Sequence, residues 1–462
     1  MTSVDVTSAR VLELLTAALG DRVVTSPDVL DEARADKSGH RSDAPPLAVV
    51  EAASIDDVQQ TLRIATETGT PVVPRGAGTG LAGGAIASGG EIALSLRTMD
   101  RVLEIDENDL IAVVEPGILN GDFGRILAER GLWFAPDPAS KEISTVGGNI
   151  ATNAGGLLCA KYGVTRDAVL ALKIVLADGT LMSLGHRSVK GVTGLDLTAL
   201  LVGSEGILGV IVEATVRVRR AVPGVVTTLA ATFPHVTDAA AACSAITAAG
   251  IQPAVMELLE PTALAAIHDY LGLEAPTPGR TQIMVQTDGP LSADDARACL
   301  AIIEANGGVG EVAANEADGE RLLSIRRAMH PAMEKLGQPL IEDVSVPRSA
   351  LVPMFEAIQE VEREFGISIP TVAHAGDGNL HPNFVYQGDE VPEVIWQAAD
   401  ALFLSAIRLG GTLTGEHGIG ILKRRWLEAE LGAEQVDLQR RIKATFDPQG
   451  LLNPGKVFDP IV

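Results

Sequence analysis

Apolar residues recur at helical spacing from about Ser8 to Leu19 and from Ser54 to Thr68, each stretch opening on polar residues, which predicts two amphipathic helices. Five short apolar runs bounded by turn residues, PVVP, EIALSL, IAVVEPG, LKIVLADG and GVIVEATVRV, predict strands. Near AVPGV at 221–225 the rhythm lengthens: TTLAATF, HVTDAAAACSAITAAG, PAVMELLE and TQIMVQTDG alternate strand with helix, so a domain boundary is placed there. The tail from GEHGIG onward predicts a long helical stretch that stops at Asp447-Pro448 and Asn453-Pro454-Gly455.

A chain of 462 residues exceeds one ordinary core and predicts two or three domains. With 46% hydrophobic and 21% charged residues it reads as globular and soluble. The formal charge of −24 argues against nucleic acid and anionic lipid surfaces as partners. The N-terminus lacks a basic stretch before an apolar run, so no secretory signal is expected. The most apolar long window holds Glu205, Glu213 and several glycines, so no transmembrane segment is expected either. Cys159, Cys243 and Cys299 are too few and too scattered for a disulfide framework or an iron–sulfur cluster. A cytoplasmic location fits, with peripheral membrane attachment left open.

VVPRGAGTGLAGGA carries Gly78-x-Gly80-x-x-Gly83 directly after a strand, the formal dinucleotide fingerprint. More glycines follow and a strand resumes at Glu91, which leaves no room for the crossover helix a nicotinamide site requires. Unhindered backbone N–H groups can still cradle a pyrophosphate without a helix, although a tight structural turn would use the same residues. Two further runs, STVGGNIATNAGG and VGSEGILG, repeat the theme. Any one of them could be a bulge or a close strand crossing; the three together favour an extended ligand with phosphate and heterocycle.

These residues, with PDPAS, HAGDGNLHP, GEHGIG and FDPQGLLNPGK in the same order, resemble the vanillyl-alcohol oxidase-type flavoproteins, and within them the FAD-dependent D-2-hydroxy acid dehydrogenases. The resemblance implies an α+β fold: a PCMH-type FAD-binding domain of two α/β subdomains at 1–224 (core from about 44) and an α+β cap domain with an antiparallel sheet at 225–410. A segment at 411–462 is expected to return to the FAD domain. The resemblance assigns FAD contacts to Pro74, Arg75, Gly76, Ala77, Gly78, Thr79, Gly80 and Leu81, then to Pro138 and Ser140. It continues through Gly147, Gly148, Asn149, Thr152, Asn153, Ala154, Gly155 and Gly156, and ends with Glu205, Gly206, Ile207 and Asn453. Where some relatives attach flavin covalently through a histidine, this chain has Thr79, so noncovalent FAD is expected.

AHAGDGNLHP at 373–382 places two of only eight histidines around an Asp-Gly pair. If Asp377-Gly378 is a two-residue hairpin loop, His374 stands directly opposite His381, with Cβ atoms ~4.5–5.5 Å apart and both imidazoles in reach of one ion. GEHG adds the carboxylate of Glu416 beside His417, and His, His and Glu with an open position is a catalytic zinc set that manganese or iron would also accept. The pair could instead only hydrogen-bond within a buried sheet; the resemblance favours a divalent metal that touches substrate. Asn379 lies beside the pair and is a candidate for bonding substrate or flavin, though a turn asparagine often bonds its own backbone.

For a 2-hydroxy acid, His417 is the expected base for the hydroxyl proton. By resemblance Arg326 in LLSIRRAMHPAM is the carboxylate anchor, where a solvated arginine pair is the plainer alternative. Relatives acting on 2-hydroxyglutarate are expected to use a lysine downstream, but here the segment is QPLIEDVSVP with Ile341, which favours a small monocarboxylate, D-lactate first and glycolate next. His330 stands against that inference, since it could meet a second carboxylate. Expected partners are the hydroxy acid and an electron acceptor, whether quinone, electron-transfer flavoprotein or cytochrome; a homodimer is compatible. Three rivals are an oxygen-using oxidase without metal, a flavin subunit of a larger glycolate-oxidising assembly, and a metal-dependent hydrolase. The last leaves the three glycine runs unexplained.

Overall fold

The computed structural model describes residues 3–388 and 390–459. It divides into two units, one from the described residues of Met1–Gly155, Val164–Ala221 and Glu416–Val462, the other from Gly156–Gly163 and Val222–Gly415. Among the described residues no helix is long and apolar enough to cross a membrane.

In the first unit, a four-stranded sheet runs in the order Val23–Val24, Ala48–Glu51, Ile92–Ser95, Val72–Arg75, the last three strands parallel. Helix Ile55–Thr68 begins where Ser54 accepts the Asp57 N–H and ends at Gly69, whose φ of 66° suits a residue without Cβ. Its Val58, Leu62 and Ala65 pack against Val72, Ile92 and Leu94. Each large aliphatic side chain buried there contributes about 1.5–3 kcal/mol. No helix lies between Arg75 and Ile92, although the strands they belong to are parallel neighbours. The glycine-rich run is therefore the whole crossover.

A second sheet, antiparallel, has the order Val102–Asp106, Ile111–Val114, Val210–Arg217, Val169–Val175, Leu181–Gly185. The tail differs from the expected long helix. It forms Leu427–Leu431 and Ala433–Phe446, interrupted at Gly432, whose φ of 77° and ψ of 154° lie outside helical space. Beyond it, Leu452 bridges to Val72 and Asn453 N–H donates to Val72 O at 2.8 Å, adding the tail to the edge of the first sheet.

The second unit is built on an antiparallel sheet ordered Val309–Val312, Thr227–Phe233, Thr281–Thr287, Val255–Leu259, Thr371–His374, Asn379–Tyr386, Gln338–Ile341, with Val344–Ser345 also pairing the Asn379 strand. Helices Pro261–Leu271, Glu316–Arg327 and Met329–Leu336 cover the face that carries Leu259, Met284 and Val372. Cys243 and Cys299 are buried here, and burial pushes both thiols up to about 12, which suits inert packing groups.

Candidate active site

In the first unit the loop after Arg75 is braced from inside. Arg75 is buried and donates from Nη1 to Ala85 O at 2.7 Å and from Nη2 to Glu32 O at 3.3 Å, so it ties the loop's later part to its start and to the end of helix Pro27–Glu32. Gly78, at φ 67°, passes so close over the guanidinium that a Cβ would lie 2.3 Å from Nη2. A Cβ on Gly76 would meet Thr145 Oγ1 at 2.4 Å, and one on Gly147 would meet Pro116 at 2.5 Å. Part of the glycine content therefore serves the chain's own close packing. Thr145 caps the short helix Val146–Thr152 by accepting the Gly148 N–H, and Asn153 follows in the left-handed region. Within that helix Asn149 is buried, and its Nδ2 has no partner among the described residues. A buried amide donor without an acceptor costs about 1–3 kcal/mol, which a ligand acceptor would recover.

Glu205 closes the back of this loop. Its backbone is at φ 50°, and its carboxylate accepts from Ile419 N at 2.7 Å and Gly420 N at 2.8 Å. Asn453 donates from Nδ2 to Glu205 O at 2.7 Å and Gly84 O at 2.9 Å, and Ile421 N donates to Ala82 O at 2.8 Å. The residues that follow His417 are thus clamped to the glycine loop. Burial pushes the Glu205 carboxyl from 4.5 up to about 7, while the two backbone donors pull it down. Between those values the folded chain keeps a proton that the unfolded chain has lost, so this group's contribution to stability falls as pH rises from about 4.5 to about 7. Comparing urea midpoints across that interval for the wild type and Glu205→Gln should show a flatter profile in the variant.

In the second unit the histidine hairpin forms with a different register from the one expected. His374 pairs with Asn379 and Val372 with His381, leaving a four-residue loop, Ala375 to Gly378. The loop is held open on both sides: Gly376 N–H donates to Met256 O at 3.2 Å, and Gly378 O accepts from Val346 N at 2.9 Å. Of the Asp-Gly pair only Gly378 has positive φ, 90°, so the two-residue turn does not form. The offset is one whole residue pair, and side chains alternate with period two, so both histidines stay on one face as diagonal neighbours. Their rings lie 5.0 Å apart and perpendicular, and both are buried.

The same register places Glu257, His374 and Asn379 in one lateral row across three adjacent strands. Glu257 is completely buried; its Oε1 lies 2.7 Å from His374 Nδ1, and its Oε2 accepts from Arg326 Nε at 2.6 Å. Arg326, reached from helix Glu316–Arg327, is thereby drawn onto the histidine face. Asn379 is 4% exposed, yet neither amide atom has a partner among the described residues. A Cβ on Gly415 would lie 2.6 Å from that amide, so the glycine before Glu416 makes room for it. Asn379 Oδ1 and Nδ2 together suit a ligand carrying both a donor and an acceptor.

His330 stands elsewhere. On helix Met329–Leu336 the buried positions are Met329, Ala332 and Met333, which turns residue 330 outward; its imidazole is half exposed and lies 3.2 Å from Glu334, one turn on. Glu257 was missed in the sequence, although a signal existed: it is the lone charge in VMELL, a strand with every residue buried, and such a charge must be paired.

The first unit's helix-free glycine crossover and paired sheets, with the second unit's antiparallel sheet, define a PCMH-type FAD-binding fold of the α+β class. Comparison with known proteins agrees. Residues 222–457 match the family of FAD linked oxidases, C-terminal domain, and residues 46–185 match an FAD binding domain. The chain is 40% identical over 448 residues to glycolate oxidase subunit GlcD of Bacillus subtilis, covering 94% of this chain and 95% of that one. It is 36% identical over 416 residues to D-lactate dehydrogenase of Archaeoglobus fulgidus, covering 89% and 91%. Among solved structures, p-cresol methylhydroxylase aligns with TM-score 0.78 at 16% identity over 99% of this chain and 98% of its own. 4-Ethylphenol oxidase from Gulosibacter chungangensis aligns with TM-score 0.77 at 19% identity over 98% of each. The chain belongs to the FAD-linked oxidases and is an FAD-dependent oxidoreductase.

Proposed function

We propose that this enzyme oxidises a small D-2-hydroxy acid, D-lactate foremost, to the 2-oxo acid, with FAD bound noncovalently and a divalent metal, zinc by its donor set, held by His374, His381 and Glu416. The observation that carries this reading is the buried row in the second unit, where two perpendicular imidazoles, an arginine and an unpartnered amide share one face of a sheet. When bound, FAD supplies a hydride acceptor and the metal a Lewis acid that lowers the pKa of the substrate alcohol.

The protein's own groups do the rest. Arg326 pairs with the substrate carboxylate through its two terminal nitrogens, since Nε is committed to Glu257. Asn379 orients the hydroxyl or carboxylate through its amide. His417 takes the hydroxyl proton as the Cα hydrogen leaves. Size selection follows from Ile341, which lies opposite Asn383 on the neighbouring strand and offers no charge to a second carboxylate. The pairing of His330 with Glu334, one turn on, supports the same reading.

A specific observation also favours glycolate: the relative matching at 40% identity is named as a glycolate oxidase subunit. An anaerobic absorption spectrum separates the substrates. D-Lactate is expected to bleach the flavin fastest, glycolate next, L-lactate and D-2-hydroxyglutarate much more slowly. Faster turnover of D-2-hydroxyglutarate by kcat/KM would overturn the monocarboxylate assignment. Rapid bleaching by glycolate, joined to negligible dye reduction by the isolated chain, would favour the subunit reading.

A further inference from the structure

We infer that Glu257 is a positioning residue that sets two functional side chains at once: it fixes the nitrogen with which His374 meets the metal and the direction in which Arg326 presents its guanidinium. The inference rests on the metal reading above. An ionised carboxylate has acceptors only, so the proton in the 2.7 Å contact belongs to His374 Nδ1. In a neutral ring Nε2 is then the nitrogen that carries the lone pair. The second oxygen accepts from Arg326 Nε at 2.6 Å, so each carboxylate oxygen already serves one of the two side chains.

The environment makes this arrangement unforgiving. Glu257 has no exposure and Arg326 side-chain exposure is 11%, so the carboxylate's charge is balanced by one guanidinium away from bulk solvent. Removing the negative charge leaves two donors, His374 Nδ1–H and Arg326 Nε–H, converging on the same place. Glutamine has one acceptor oxygen and must turn its NH2 toward one of them. The cross-strand pairing of residue 257 with residue 374, and of residue 374 with residue 379, builds the row into the sheet register. A carboxylate behind a metal-binding imidazole raises its basicity and locks its orientation, and loss of such a partner typically weakens metal binding about 10–100-fold.

The test uses the full FAD-bound chain. Zinc affinity of wild type and Glu257→Gln is measured by competition with a chromophoric chelator, and KM and kcat for D-lactate are measured separately. Glu257→Gln is expected to bind zinc about 10–100-fold more weakly and to raise KM severalfold through Arg326, with the FAD absorbance spectrum unchanged. Zinc affinity within about twofold of wild type overturns the inference and leaves the metal reading standing. A wild-type chain that takes up no divalent ion overturns the metal reading and this inference with it. Should the variant not fold, 15N-histidine spectra of the zinc-loaded wild type decide instead; eight histidines make the assignment tractable. A retained Nδ1 proton on His374 with Nε2 metallated is the expected signature, and metallation at Nδ1 overturns it.

Discussion

Replacing His417 by alanine is expected to slow flavin reduction by D-lactate by about 10²–10⁴-fold while leaving FAD bound, the range that loss of a positioned general base produces. That corresponds to about 3–5 kcal/mol of transition-state stabilisation. The expectation follows from how rigidly the chain holds this imidazole. On one side Glu416 lies against Gly155, where a Cβ would come within 2.5 Å of the carboxylate. On the other, Gly418 at φ 82° passes close to the Glu205 carboxylate, which takes the next two backbone N–H groups. An imidazole held on so short and clamped a segment is expected to meet a substrate hydroxyl with little reorganisation. Because Glu205 and Asn453 make the clamp, the alanine variant should keep the flavin spectrum. Stopped-flow absorbance under anaerobic conditions measures the effect, and reduction within about threefold of wild type would remove His417 as the base.

Stripping the divalent metal with a chelator is expected to cost at least about 100-fold in the same rate, with FAD retained and activity restored by zinc or manganese. Without the ion, His374 and His381 form a pair of imidazoles 5.0 Å apart with nothing to draw the alcohol between them, and His417 would have to deprotonate an alcohol of ordinary pKa. Metal analysis of the stripped and restored protein must accompany the kinetics. A chelated enzyme free of metal by that analysis and still reducing its flavin at the wild-type rate would return the two histidines to a structural role in the sheet.

Much of this site is legible along the chain because its features are local. The helix-free glycine crossover follows from glycine content and the early return of a strand, and both are visible between Arg75 and Glu91. The two histidines on one face follow from an odd separation of seven residues across a turn: in an antiparallel hairpin that parity survives any slip by a whole residue pair. Both histidines therefore keep the expected face, while His374 opposes Asn379 rather than His381. The tail's helical periodicity is visible too, but the backbone breaks at Gly432, which periodicity alone does not show.

By itself, then, the sequence determined the periodicities, the turn chemistry and the residues that stand as candidates for the proposed chemistry. Tertiary structure decided which of them meet. Glu257 and His374 are 117 positions apart and become neighbours only because the Val255–Leu259 strand is inserted beside the Thr371–His374 strand, a choice of sheet order with no local signature. The hairpin's register was settled by Met256 O, on the Val255–Leu259 strand, and Val346 N, just past the Val344–Ser345 strand, an acceptor and a donor that local turn preference does not see. The outward turn of His330 and the capture of Arg326 by a buried carboxylate follow from the same cause. A buried charge must find its partner through the fold, and an exposed one need not.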